Sequence, residues 1–451
     1  MQSMMKTELS AFIHKAAVCD THEHILKEEE YLGEKPDILR ELFRNYIQGD
    51  LVVAGADPAA VASLLDASNP DIERRFIPIK RAWEQAQLTG YGEAVRLIAS
   101  RFFHIDVIDE ATLAAAQAKL PERWPAGERL RILRDEGGLD HIQADDFLWP
   151  CVPDLSGPDF FLNDISWLNF CNGNVHADKL LVETGVEVKN LETLREAMAA
   201  LFKKYAACAI AVKTQHAYNR TLFWRERTDS EAAEALKVAL RDPPDNRPPQ
   251  STLRDLNARP NETKNCLGDW CLARGVELSI EHNLPFKIHT GSYSSYGWLP
   301  VEYIRPGHLC GLLKAYPKAR FVLMHIGWPY DNELIALAKH YPNMWTDLCW
   351  AWSLNPRASA NFVRHFIHAV PSNKLFGFGG DTFFPRATVA YAMQMRRWLT
   401  SALQAEVDEG CLSESQAIRL AQRMLQHNQR ECFDVGGVRM RIRTQSGPAA
   451  R

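Results

Sequence analysis

His22 and His24 stand one residue apart in the stretch CDTHEHILKEEEYL, directly behind a short apolar run at 16–19. On a strand, side chains at i and i+2 share a face, so the two imidazoles converge on one point. Other short apolar runs also end on a polar group: Lys213 closes CAIAVK, His289 closes LPFKIH, His325 closes ARFVLMH and Asp381 closes KLFGFGGD. A buried imidazole or carboxylate costs free energy unless it is paired or coordinated. Imidazole nitrogen and carboxylate oxygen are typical ligands of zinc and also suit iron or manganese. These endings therefore predict a divalent metal site, with zinc favoured and iron or manganese as alternatives.

Something must bring those endings together. Helical patterns near 190–205 and 261–282 and the ELIALAKHY segment separate the apolar runs, which also include NMWTDL at 343–348. Such alternation predicts a parallel sheet. In a (β/α)8 barrel all C-terminal strand ends meet at one mouth, where the chemistry sits. The expected fold is α/β: a distorted (β/α)8 TIM barrel spanning 1–451 as one unit. Residues 27–180 read as an irregular, largely helical insertion after the first strand, with few clear strands. A helical tail covers 385–451, and Ser413 with Gln416 forms a capping-box pattern within it. The Pro-rich 242–260 stretch reads as an excursion between a strand and its helix.

Composition narrows the function. Fifty-two Lys and Arg against 56 Asp and Glu give a formal charge of −4, which argues against nucleic acid or an anionic membrane surface as partner. No apolar stretch of about eighteen residues exists to span a bilayer, and the N-terminal segment lacks a signal-peptide pattern. Ten cysteines without a CxxC pair read as reduced, buried thiols. The expectation is a cytoplasmic protein acting on a small molecule, with a homo-oligomer permitted.

His22-x-His24, His289 in KIHTG, His325 in LMHIGWP and Asp381 in FGFGGD resemble, in order and spacing, the amidohydrolase superfamily, and most of all its amidohydrolase 2 branch. The AVK segment ending at Lys213, followed by HAYNRTL, is similar to that branch as well. The resemblance covers 16–26 and about 205–433. It implies one or two divalent metals that activate a water, with His22, His24, His289 and Asp381 as ligands of a favoured single ion. Asp381 would accept the proton of that water. His325 would be either a second-metal ligand or a hydrogen-bond donor to the substrate oxygen. Uronate isomerases share the superfamily and carry a comparable insertion, so a sugar-acid isomerase is the alternative to a hydrolase of amides or lactones. A metal-dependent decarboxylase is a third choice.

Each residue has a plainer reading. His22 and His24 could mark a polar surface turn, His289 a turn, Asp381 a helix N-cap and His325 a core histidine, while His340 and His365 read as surface residues. Lys213 has three: carboxylated and bridging two metals, a free ammonium holding an anionic substrate group, or a lysine reaching out from the barrel rim. Tyr218 and Arg220 in HAYNRTL are candidates for a substrate carboxylate. Trp298, in the Gly/Ser/aromatic loop 290–300, is a candidate for substrate specificity.

Overall fold

The computed structural model describes residues 7–241, 261–294 and 300–445. Eight strands follow one another around the sheet in sequence order: β1 (Val18–Glu23), β2 (Leu139–Ala144), β3 (Phe161–Ser166), β4 (Ala209–Thr214), β5 (Phe286–Ile288), β6 (Phe321–Leu323), β7 (Met344–Asp347) and β8 (Leu375–Phe376). All seven adjacent pairs are parallel. The chain beyond β8 completes the ring against β1. Thr21 N donates to Phe378 O at 3.1 Å, Asp381 N to His22 O at 2.9 Å and His24 N to Thr382 O at 3.1 Å. The expected TIM-barrel architecture is present, with its closure carried by irregular backbone rather than by a long eighth strand.

Every residue of β1 is buried, including Asp20, Thr21, His22 and Glu23. A strand covered on both faces normally reads as continuous apolar sequence. This one is polar inside because its inner face supplies the site. β2 and β3, which lie within the region expected to be largely helical, also bury polar side chains. Buried His141, Gln143, Asp164 and Ser166 break their apolar pattern. The helical insertion proper runs from Glu28 to Arg131, and 139–166 returns to the barrel.

That insertion is tied to the mouth. Asp37 caps the helix Ile38–Phe43 and also pairs with buried Arg75 at 2.6 Å. Thr89 caps the helix Gly90–Phe103. A Cβ at Gly90 would stand 2.1 Å from Ser353 O, so only glycine lets this helix settle against the segment after β7. The long helix Pro385–Asp408 packs on the other side, and its Arg386 pairs with Glu41 and Glu128 of the insertion at 3.0 and 3.1 Å. Further helices, Glu414–Gln422, Asn428–Cys432 and Val435–Gln445, complete the tail. The Ser413/Gln416 capping box is formed. No described helix is long and apolar enough to cross a membrane. All ten cysteines are thiols, and eight of them are buried.

Candidate metal centre

Three strand ends, those of β1, β5 and β6, deliver four imidazoles to one carboxylate. Asp381 Oδ1 lies 3.3 Å from His22 Nε2 and 3.2 Å from His24 Nε2, and its Oδ2 lies 3.5 Å from His325 Nε2. The His289 ring centroid is 4.4 Å from that of His325. The donor atoms fall into two groups that could hold an ion, His22/His24/Asp381 and His289/His325/Asp381, with Asp381 common to both. Lys213, at 1% exposure, places Nζ 3.2 Å from His22 Nε2. It is therefore inside the site, and a lysine reaching out to solvent is excluded.

The GGD turn explains how Asp381 gets there. A Cβ at Gly379 would stand 2.6 Å from Cys349 Sγ, and one at Gly380 would stand 2.0 Å from Glu23 Oε1. Both positions must be glycine for the turn to lie against β1 and β7. Asp381 itself sits at φ 55°, and His325 (65°), Ile326 (48°) and Trp350 (59°) share that left-handed region. Such backbone is costly for non-glycine residues, for a β-branched one above all, and concentrates where side chains must be aimed. Here it is held by hydrogen bonds: Tyr46 OH, from the insertion, donates to Asp381 O, and His325 N donates to Asp347 Oδ1 at 3.0 Å. Asp381 is not a helix cap, because the helix starts at Pro385 behind Phe384.

Protons on the imidazoles are fixed by what they face. A backbone carbonyl only accepts. His24 Nδ1 therefore carries the proton it gives to Asp145 O (2.6 Å), and His325 Nδ1 the one it gives to Cys349 O (3.0 Å). His289 Nε2 donates to Ser292 O at 3.1 Å. Burial pushes His325 down to about 3, so it is neutral and its Nε2 is a bare lone pair. Burial, reinforced by His325 and Lys213, also holds His289 well below the usual histidine range. For Asp381, burial would raise the carboxyl, but its surroundings of imidazoles, His22 foremost, outweigh burial and hold it well below the usual carboxylate range. The neighbouring Asp20 behaves oppositely: burial lifts it to about 7.

His325 Nε2 is thus a buried atom without a hydrogen-bond partner, aimed at an ionised carboxylate. Two lone-pair donors face each other with no proton between them. A divalent cation is the partner that such a set lacks, and the N/O donors fit zinc, iron or manganese. A bare Nε2 cannot donate a hydrogen bond to a substrate oxygen, which argues against the donor reading of His325.

Two candidates from the sequence fare differently. Tyr218 stands beside His289, ring centroids 4.8 Å apart, and its hydroxyl accepts from Ser294 N at 3.1 Å. Arg220 is a correction. It is buried, its Nη1 pairs with Asp269 Oδ1 at 2.7 Å, and its Nε donates to Cys171 O at 2.8 Å. The guanidinium is committed to the helix Glu262–Glu281 and has no free fork for a substrate carboxylate. Arg220→Ala is accordingly expected to cost about 3 kcal/mol of stability, the low end for breaking a buried pair, because Arg227 still holds Asp269 at 3.0 Å. Urea unfolding reads this loss, and KM should move equally little for acidic and neutral substrates. Trp298 lies outside the described residues, as does the 242–260 excursion.

Sequence reading missed Asp164, Lys287, Tyr46 and Asp347. A lysine inside the apolar run LPFKIH, two positions before His289 and so on the same strand face, was the available signal.

Residues 190–412 match the amidohydrolase family. Protein fluG of Emericella nidulans is 29% identical over 177 residues, 38% of this chain and only 20% of that much longer protein. Among solved structures, the uronate isomerase of Thermotoga maritima superposes with a TM-score of 0.76 at 14% identity, covering 94% of this chain and 96% of its own. The glucuronate isomerase of Caulobacter crescentus gives 0.74 at 15% identity, covering 94% and 92%. At such identities these likenesses concern the fold, insertion included. Residues 190–412, which contain Lys213, His289, His325 and Asp381, are thus similar to the amidohydrolase family.

Proposed function

We propose that the chain is a metal-dependent hydrolase that cleaves an amide, lactone or related C–N or C–O bond of a small molecule. One observation carries this reading: neutral His325 and ionised Asp381 face each other lone pair to lone pair, in a pocket that His22, His24 and His289 complete. His22, His24, His289 and Asp381 would hold one divalent ion, with His325 adjoining, and zinc is the favoured metal. Bound there, the ion supplies Lewis acidity, lowering the pKa of a water and polarising a carbonyl.

The chain's own residues do the rest. Asp381, ionised and 5% exposed, is placed to take a proton from an attacking water and return it to the leaving group. Its second oxygen lies 3.5 Å from His325 Nε2. Tyr218 walls the pocket beside His289. Lys213 is the one cation of the site region named by the sequence that remains there, so an acidic substrate would have an ammonium and no guanidinium to meet it. This favours substrates whose carboxylate, if present, is not clamped bidentately.

Turnover on a panel of N-acyl amides, lactones and uronates, with and without a chelator, tests the reading. The expected result is chelator-sensitive cleavage of an amide or lactone. A chain that isomerises uronates and cleaves none of the others overturns it.

A further inference from the structure

Three of the four imidazoles have a backbone carbonyl that fixes their proton: Asp145 O for His24, Ser292 O for His289 and Cys349 O for His325. His22 has none. Its Nε2 is 3.2 Å from Lys213 Nζ, whose N–H it is placed to accept. A neutral His22 then carries its proton on Nδ1. That atom is fully buried and has no hydrogen-bond partner. The nearest charged group on its side is Asp164 of β3, with Oδ2 at 3.9 Å.

Asp164 sits in the barrel interior under the site, at 1% exposure, and is matched there by Lys287 of β5, at 0%. Lys287 Nζ donates to both carboxylate oxygens, at 2.8 and 3.0 Å, and to Thr21 O of β1 at 2.7 Å. Replacing a buried ion pair by apolar groups is often neutral for stability. This pair therefore asks for another explanation than holding the barrel closed. Its geometry supplies one: Lys287 holds Asp164 in place against Thr21, the neighbour of His22 on β1, with Oδ2 3.9 Å from the imidazole's unpartnered Nδ1.

We propose that Asp164, held by Lys287, is the positioning residue that orients His22, taking its Nδ1–H and keeping its Nε2 free to bind a metal. The pair reaches the ion only through His22. A carboxylate behind a metal-binding histidine sets ring orientation and raises its basicity, and its loss typically costs 10–100-fold in metal affinity. This rests on the metal-site reading above, and the test separates the two.

The test removes both charges together, so that none is left unpaired: the double variant Asp164→Leu/Lys287→Met is compared with wild type by zinc titration of the metal-free proteins against a competing chelator. The expected result is a folded protein whose zinc affinity is about 10–100-fold weaker. Asp164→Asn/Lys287→Met, which keeps an amide oxygen as acceptor, should recover part of it. Unchanged affinity in the leucine variant overturns the proposal and leaves the pair a packing feature. Long-range 1H–15N spectra of wild-type metal-free protein provide a readout that needs no variant to fold. A His22 proton on Nδ1 supports the assignment, and one on Nε2 overturns it. Failure of wild type to bind zinc would instead sink the metal-site reading, whatever the His22 tautomer.

Discussion

Replacing His22 and His24 together with Ala is expected to strip the metal from the protein and abolish turnover. Protein zinc sites bind with about 10–16 kcal/mol at neutral pH, so losing two of four donors forfeits on the order of 5 kcal/mol, a several-thousand-fold weakening. The loss should fall on binding more than on folding. Both rings lie at the end of β1, where His22 adjoins Asp381 and His24 is stacked on Phe147 at 4.4 Å. Metal content after dialysis, read beside a far-ultraviolet spectrum of the same sample, checks this. Retained metal in a folded double variant would move the centre to the His289/His325/Asp381 group.

Asp381→Asn is expected to lower kcat by at least about 100-fold, the low end for removing a general base, while the fold survives. The amide is nearly the same shape, and the backbone bonds Asp381 N to His22 O and Tyr46 OH to Asp381 O do not involve the side chain. An amide can no longer accept a proton in the pH range where the carboxylate can. Single-turnover rates on the best substrate of the panel measure this. Turnover close to wild type would reduce Asp381 to a residue that shapes the turn.

The barrel and the inner ring were legible in the sequence because each of β1, β4, β5 and β6 pairs an apolar run with a polar ending. The eye needs only that contrast. β2 and β3 were not legible, because buried His141, Gln143, Asp164 and Ser166 make LDHIQA and FLNDIS look like surface segments. Propensity weighs each residue alone, whereas a barrel interior can pair Asp164 with a Lys287 that lies 123 positions away. Arg220 illustrates the opposite error. Its closeness in sequence to Lys213 suggested a shared mouth, but after β4 the chain turns through His216–Tyr218 and sends the guanidinium outward to Asp269. Tyr46 was out of reach for another reason: nothing local in RNYIQGD says that the insertion folds back over Asp381. The protons on His24, His289 and His325 depend on carbonyls of Asp145, Ser292 and Cys349 that only the folded chain brings into place.

Elemental analysis of the purified, unchelated protein tests the central claim most directly. The account predicts about one equivalent of zinc, iron or manganese per chain, removed by chelation together with activity and restored with it, as expected for a site of three histidines and one aspartate. A value near two, with added mass on Lys213, would replace the single ion by a bridged pair. Protein that turns over its substrate while holding no first-row metal would contradict the account outright.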